Sequence, residues 1–96
     1  MSHQMPPLPW LRAFEASARQ LSFTHAASEL NLTQAAISKQ VKLLEHYLKE
    51  PLFERLPRSL ALTKMGAAYL PKVQDAFERL SAAMPPKNML PPSPPR

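Results

Sequence analysis

The distribution of proline is the feature that most constrains how this chain can fold. Of its 12 prolines, three lie in the first ten residues and six in the last dozen, which leaves three for the long interval between. Proline has no backbone N–H and a fixed φ, so a segment dense in proline cannot build regular hydrogen-bonded structure. We therefore predict one folded unit over residues 8–84, a flexible N-terminus over 1–7 and a disordered proline-rich tail over 85–96.

The composition excludes several classes of function. Gly66 is the only glycine, so the glycine-rich loops that hold nucleotide phosphates have no place here. The absence of cysteine excludes disulfide frameworks, thiolate metal sites and thiol nucleophiles, and it is typical of a reducing compartment, so we expect a cytoplasmic protein. His25 and His46 have no partner at metal-ligand spacing, and the single aspartate, Asp75, offers no Ser-His-Asp arrangement. We expect neither an enzyme nor a cofactor or metal site.

The net charge of +5 predicts an anionic partner. Nucleic acid, an acidic membrane surface and an acidic protein all fit that charge, so the positions of the basic residues must distinguish them. No apolar run approaches the roughly 18 residues of a spanning helix. Because the sequence also lacks a long basic amphipathic helix with a bulky aromatic face, we expect no membrane association.

Helical periodicity predicts three short helices in the first half of the folded unit. The first covers residues 9–19, with Pro9 in its first turn. Ser22 is a good N-cap for the second helix, which ends near Asn31, and Thr33 caps the third. The short turn between the second and third helices gives them the proportions of a helix-turn-helix, whose second helix enters the major groove of DNA.

The third predicted helix has two chemically different faces. Its apolar residues fall within about 60° of arc and form a seam for burial. That seam is Ile37, Val41, Leu44 and Leu48. Facing away from it, Gln34 and Ser38 can hydrogen-bond to base edges, and Lys39 can reach guanine acceptors or a phosphate. Ala35 can touch a thymine methyl group, and the free N–H groups beside Thr33 suit a phosphate. The residues predicted to contact DNA from this helix are Thr33, Gln34, Ala35, Ser38, Lys39 and Lys42.

A small β-hairpin with a basic tip is predicted after the third helix. Two short apolar pieces, at 52–53 and 60–62, flank a polar segment that contains a proline. The hairpin would be the wing of a winged helix-turn-helix. Arg58 at the tip favours a contact with DNA, whereas Arg55, which follows Glu54, fits a phosphate contact and a structural ion pair equally well.

A fourth, longer helix is predicted to begin after a cap at Thr63 and to reach Met84. Pro71 lies inside it and should kink it. This helix extends beyond a compact three-helix unit and has little core to join, so we expect its apolar side to pair with a second copy. The predicted dimer contacts are Leu70, Val73, Phe77 and Leu80. The folded unit would then divide into a DNA-binding domain at 8–63 and a linker or dimerisation helix at 64–84.

Several segments resemble the N-terminal DNA-binding domain of LysR-type transcriptional regulators. The resemblance covers residues 8–83 and looks closest to the branch that holds glycine-cleavage and β-lactamase regulators. The segments that carry it are LRAF at 11–14, SFT at 22–24, LTQAAISKQV at 32–41, LFER at 52–55, and LT at 62–63 with Gly66.

The resemblance implies a mainly α winged helix-turn-helix fold with a three-helix core, a small wing and a long C-terminal linker helix. It implies sequence-specific binding of double-stranded DNA by a transcriptional regulator, with an inverted-repeat operator bound by a homodimer. In that family the third helix reads the major groove, the wing arginine enters the minor groove, and the fourth helix pairs antiparallel with its copy. Carried over, the wing role falls on Arg58.

The chain departs from the family pattern at three places. Lys49 stands where the family usually has glycine after the third helix, which predicts a strained or altered turn. Lys39 stands where arginine is common, which weakens a bidentate contact with guanine. The large C-terminal effector-binding domain of the family has no counterpart in these 96 residues, so we expect no small-molecule effector site in this chain.

An alternative from another class is a helical protein-interaction module. In that interpretation the basic stripe of the third helix meets an acidic partner, and the fourth helix pairs with another chain. A basic stripe by itself is more often an ordinary solvated face. The combination of stripe, caps, turn, wing and family resemblance is what favours DNA.

Overall fold

A computed structural model describes residues 5–83. The predicted tail over 85–96 lies outside the described residues, as do the first four residues of the predicted flexible N-terminus. The elements are α1 (Leu8–Gln20), α2 (Phe23–Leu30), α3 (Gln34–Leu48), β1 (Phe53–Leu56), β2 (Ser59–Leu62) and α4 (Lys64–Ala83). The predicted mainly α fold, with a small hairpin and a long last helix, is confirmed.

Two predicted N-caps set the starts of the helix-turn-helix. The backbone N–H of His25 donates to Oγ of Ser22 at 3.1 Å, and the N–H of Ala36 donates to Oγ1 of Thr33 at 3.0 Å. Each hydroxyl satisfies an N–H that has no partner inside its own helix. The turn between α2 and α3 closes through Asn31, which takes the left-handed conformation at φ 57°.

The first helix differs slightly from its predicted bounds. It begins at Leu8 and ends at Gln20, one residue beyond the predicted range at each end, with Pro7 in the N-cap position. Proline at the cap and in the first turn costs no helical hydrogen bond, since the first N–H groups of a helix have no partner within it.

The core lies where α1 crosses α2 and α3. Phe14 of α1 and Ile37 and Leu44 of α3 have no exposed surface. The Phe14 ring lies 5.7 Å from the ring of Phe53 in β1 and 5.6 Å from that of Tyr69 in α4, centroid to centroid. The wing and the last helix therefore pack on the same core as the helix-turn-helix.

The hairpin is fixed to α3 by one carboxylate. β1 and β2 pair antiparallel in the register Phe53↔Leu62 through Leu56↔Ser59, with a two-residue turn between them. The backbone N–H groups of Leu52 and Phe53 both donate to Oε2 of Glu45, at 2.7 and 3.2 Å. Because Glu45 belongs to α3, its carboxylate sets the position of the wing relative to that helix.

The only glycine permits a close approach between α4 and the start of the wing. A Cβ atom at Gly66 would lie 2.2 Å from the carbonyl oxygen of Leu52, far inside van der Waals contact. Thr63 completes this junction, because its hydroxyl donates to the carbonyl of Pro51 at 2.7 Å and accepts from the N–H of Gly66 at 3.0 Å. The predicted cap at Thr63 is confirmed.

The expectation that the fourth helix has little core to join was wrong. Val73 is 4% exposed and belongs to the hydrophobic core, contrary to its predicted place at a dimer contact. Leu70 and Phe77 are half-buried against the same core, and the Gln74 side chain donates to Glu15 of α1 at 3.2 Å. The physical reason is that α4 packs on α1, which covers that part of its apolar side. Leu80 is 55% exposed, so it does not contribute to the core and its predicted place at a dimer contact remains a prediction.

The last residue of the helix-turn-helix unit is strained as predicted. Lys49 follows α3 with φ 60° and ψ 32°, a left-handed conformation that glycine adopts without steric cost. Its N–H donates to the carbonyl of His46 at 3.2 Å, which closes the helix end. The chain therefore makes the usual left-handed helix ending with a side chain that disfavours it.

Candidate nucleic-acid interface

The two faces of α3 are separated as the sequence predicts. Ile37, Val41 and Leu44 have no exposed surface, which fixes the rotation of the helix against the core. The outward residues are exposed except Ser38, which is half-buried. The exposed ones are Thr33, Gln34, Ala35, Lys39 and Lys42. The predicted contact residues thus share one side of one helix and its cap.

The wing brings further predicted residues to the same place. A groove runs between the start of α3 and the hairpin, with Gln34, Ser38 and Lys42 on one wall and Arg55 and Arg58 on the other. A shallower depression continues over the outer face of α3. Its lining residues are Ala35, Ser38, Lys39, Lys42, Leu43 and His46.

The positive charges on this surface are largely uncompensated. Among residues 5–83, Lys39, Lys42 and Arg58 form no ion pair within 4 Å. Each is exposed, and Arg58 stands in the two-residue turn of the wing. Exposed cations that have no protein partner are free to neutralise the phosphates of an anionic ligand.

Arg55 has a structural role that the sequence analysis left open. Its guanidinium carbon lies 5.4 Å from the centroid of the Phe23 ring, and its Nη2 lies 3.8 Å from Oε1 of Glu45. The partner is Glu45 of α3 and not the adjacent Glu54, because successive side chains of a strand point to opposite faces. Arg55 therefore ties the wing to α2 and α3, while 42% of its side chain stays exposed at the groove.

Two of the seven carboxylates lie away from this surface, in a cluster on α1 and α2. Arg19 forms ion pairs with Glu15 and Glu29. The hydrogen bonds from Arg19 hold the pKa of Glu15 and that of Glu29 below their ordinary value, and the same bonds raise the pKa of Arg19. Neither carboxylate lines the groove.

Sequence reasoning missed the contribution of α2 to this surface. Ser22, Phe23 and Thr24 line the groove between α3 and the wing, whereas the sequence predicts only a capping role for Ser22. The Thr24 hydroxyl donates to Oε1 of Gln34 at 3.2 Å. The signal that could have found them is the shortness of α2, since a helix of 8 residues is only about 12 Å long and a short turn places α3 beside its end.

Residues 5–83 contain neither of two other kinds of site. No group of three or more histidine, aspartate or glutamate side chains converges there in a way that could hold a metal ion. No helix within that span is both long and apolar enough to traverse a lipid bilayer.

Comparison with known proteins agrees with this geometry. The family model described as bacterial regulatory helix-turn-helix protein, lysR family, matches residues 8–67. The HTH-type transcriptional activator AmpR of Providencia stuartii is 58% identical over 78 residues, which cover 81% of this chain and 27% of that protein. The glycine cleavage system transcriptional activator of Escherichia coli (strain K12) is 51% identical over 83 residues, which cover 86% of this chain and 27% of that protein.

Solved structures share the fold over most of the chain. The CbnR_DBD–DNA complex superimposes with a TM-score of 0.76 at 30% identity, covering 80% of this chain and 88% of that one. The oxidized form of Corynebacterium glutamicum OxyR gives a TM-score of 0.78 at 28% identity, covering 84% of this chain and 26% of that one.

The fold and the exposed basic helix define a winged helix-turn-helix of the bacterial regulatory class. Since the family match spans more than half of its residues, the chain belongs to the LysR family of transcriptional regulators and contains the DNA-binding domain of that family. It spans about a quarter of the length of the curated relatives described above.

Proposed function

We propose that this chain binds double-stranded DNA in a sequence-specific manner and acts in transcriptional regulation. The observation that carries the proposal is the outer face of α3. This face is exposed and cationic, it carries small side chains, and it borders the groove that ends at the wing. Two structures with the same fold, CbnR_DBD and BenM_DBD, are described as complexes with DNA, which supports the proposal. The relatives described as transcriptional activators support a regulatory role.

Specificity in this proposal comes from α3. Gln34 and Ser38 offer hydrogen-bonding groups to base edges, and Ala35 offers a methyl group to thymine. Lys39 contacts guanine through one ammonium group, which cannot make the two-point contact of an arginine guanidinium. Thr33 and Lys42 position the helix on phosphates, since helix N-terminal N–H groups and exposed cations bind such groups without reading sequence.

The wing supplies affinity. Arg58 at the exposed turn would enter the minor groove, where base-edge patterns are degenerate and the negative potential attracts cationic side chains. Arg55 would act mainly by holding the wing, because it is already paired with Glu45 and stacked over Phe23.

Two copies would bind one operator. Of the predicted dimer contacts, Leu70, Phe77 and Leu80 remain at least partly exposed, and we assign the pairing of α4 with a second copy to them. An antiparallel pair of helices has two-fold symmetry, so the two reading helices would face an inverted repeat. Val73 is assigned to the core of its own chain.

The remaining assignments follow from this function. Access to a bacterial chromosome requires a cytoplasmic location. No step of the proposal needs a catalytic residue, a cofactor or a small-molecule effector held by this chain.

The test is selection of bound sequences from a pool of random duplexes, followed by binding measurements over a range of salt. We expect enriched sites with two-fold symmetry and affinity that falls steeply with salt, by about 0.9 log units per log salt for each phosphate contacted. Lys42→Ala should reduce that slope by about two contacts, one for each copy of the chain on the operator. Lys72→Ala is the matched control, since Lys72 is an exposed lysine on α4 outside the groove. Equal binding of scrambled duplexes at every salt would contradict base readout, whereas failure to bind any duplex would favour the interaction module with an acidic partner.

A further inference from the structure

A hydrogen bond links the two helices of the helix-turn-helix at the surface that faces DNA. Thr24 is the second residue of α2, and Gln34 is the first residue of α3. The Thr24 hydroxyl donates to Oε1 of Gln34 at 3.2 Å, and both side chains are exposed and line the groove beside the wing.

The backbone around this bond is held at several points. The Ser22 and Thr33 caps fix the first turns of α2 and α3, and the N–H of Leu32 donates to the carbonyl of Ala27 at 2.9 Å across the turn. Thr24 is β-branched, which limits its side chain to few rotamers in a helix. The hydroxyl is therefore presented to Gln34 by a rigid frame and has few other orientations.

This bond changes what Gln34 can offer to a base. A glutamine amide carries one acceptor oxygen and one NH₂ group with two donors. The two-point contact of glutamine with adenine needs both, because Oε1 accepts from N6 while Nε2 donates to N7. When Oε1 is turned toward Thr24, the NH₂ group on the other side of the amide carbon is the part left for the groove.

We propose that Thr24 is a positioning residue that makes Gln34 a donor in base recognition, so that the base pair beneath Gln34 is selected for major-groove acceptors. Guanine presents N7 and O6 and thymine presents O4, whereas the two-point contact with adenine is lost. This inference rests on the proposed DNA binding and names the chemistry that one position of the operator must show.

The experiment compares sequences selected from random duplexes by the wild-type chain, Thr24→Val and Thr24→Ser. Valine keeps the branched shape without the hydroxyl, and serine keeps the hydroxyl. We expect Thr24→Val to raise the preference for adenine over guanine or thymine at one base pair of each half-site by about tenfold, the scale of one base contact. The other positions and the salt dependence should stay unchanged, and Thr24→Ser should select as the wild type does.

Gln34→Ala provides the coupling test. In that background Thr24→Val should have no effect on base preference, because the amide through which it acts is gone. Thermal unfolding of each variant shows whether the fold is retained, and the exposed position of Thr24 favours that result.

Three results would overturn the inference. One is an unchanged base preference in Thr24→Val while the wild type selects a clear site. Another is an equal loss of affinity for all duplexes, which would make Thr24 an uncharged contact to phosphate that carries no sequence information. If the wild type itself selects no sequence, the proposed base readout fails first, and the comparison of variants is not needed to show it.

Discussion

The two faces of α3 divide the work of this domain between neighbouring side chains. Ile37, Val41 and Leu44 are completely buried, and the exposed Lys39 and Lys42 alternate with them along the same helix. The buried face determines whether the domain folds and how α3 is rotated, while the exposed face has no packing to satisfy. Substitutions on one helix should therefore separate stability from recognition.

The largest effect is expected on the buried face. Leu44→Ala should lower the free energy of unfolding by about 2–5 kcal/mol, because it leaves a cavity in a fully buried site. Denaturant unfolding followed by circular dichroism measures this. Leu43→Ala is the control, since that neighbour is 37% exposed and should cost much less. Equal losses in the two variants would show that the division between faces is wrong.

The next effect belongs to the exposed face. Gln34→Ala should reduce discrimination between the selected site and a scrambled duplex by about 1–3 kcal/mol, with stability changed by no more than about 0.5 kcal/mol. Parallel titrations of the two duplexes and a thermal melt give both numbers. If both duplexes lose affinity equally, Gln34 contacts the backbone of DNA and does not read bases.

A smaller effect of opposite sign is expected at the end of the helix. Lys49→Gly should raise stability by up to about 1 kcal/mol, because glycine adopts φ 60° without the clash of a Cβ atom. DNA binding should not change, since Lys49 does not line the groove. Lys49→Ala removes the same charge but keeps the Cβ atom, so a gain in that variant would assign the effect to charge and not to the backbone.

The smallest effect concerns the cluster of Arg19 with Glu15 and Glu29, which lies outside the groove. Both carboxyl groups have a folded-state pKa below the ordinary 4.5, so their contribution to stability is present above that value and is lost as pH falls through the folded pKa. Arg19→Met should cost about 0.5 kcal/mol in total at neutral pH, because both pairs are partly exposed.

Unfolding of wild type and Arg19→Met compared from pH 7 to pH 3 tests this. The difference in stability between them should shrink below about pH 4.5. A difference that stays constant across that range would mean that Arg19 stabilises the domain through packing of its aliphatic part.

The helix-turn-helix was predictable because its signals are local. Ser22 and Thr33 accept hydrogen bonds from residues three positions along, and the rotation of α3 follows from the spacing of its own apolar residues. The strained conformation at Lys49 was also expected, because Lys49 stands where the family usually has glycine after the third helix.

The candidate site was predictable only in part. Gln34 and Lys42 could be assigned to one face from helical spacing alone. The link from Thr24 to Gln34 joins residues ten positions apart across a turn, and the pairing of Arg55 with Glu45 crosses from the wing to α3. Neither distance can be read from a periodic pattern.

By itself the sequence determined the helices, their caps, the basic outer face of α3 and the family to which the chain belongs, because each depends on residues a few positions apart. The tertiary structure decided that Val73 belongs to the core, that Glu45 holds the wing, and that α2 adds Thr24 to the groove. Those three facts depend on the distances between elements. Packing of the elements around Phe14 sets these distances, and no local sequence pattern encodes them.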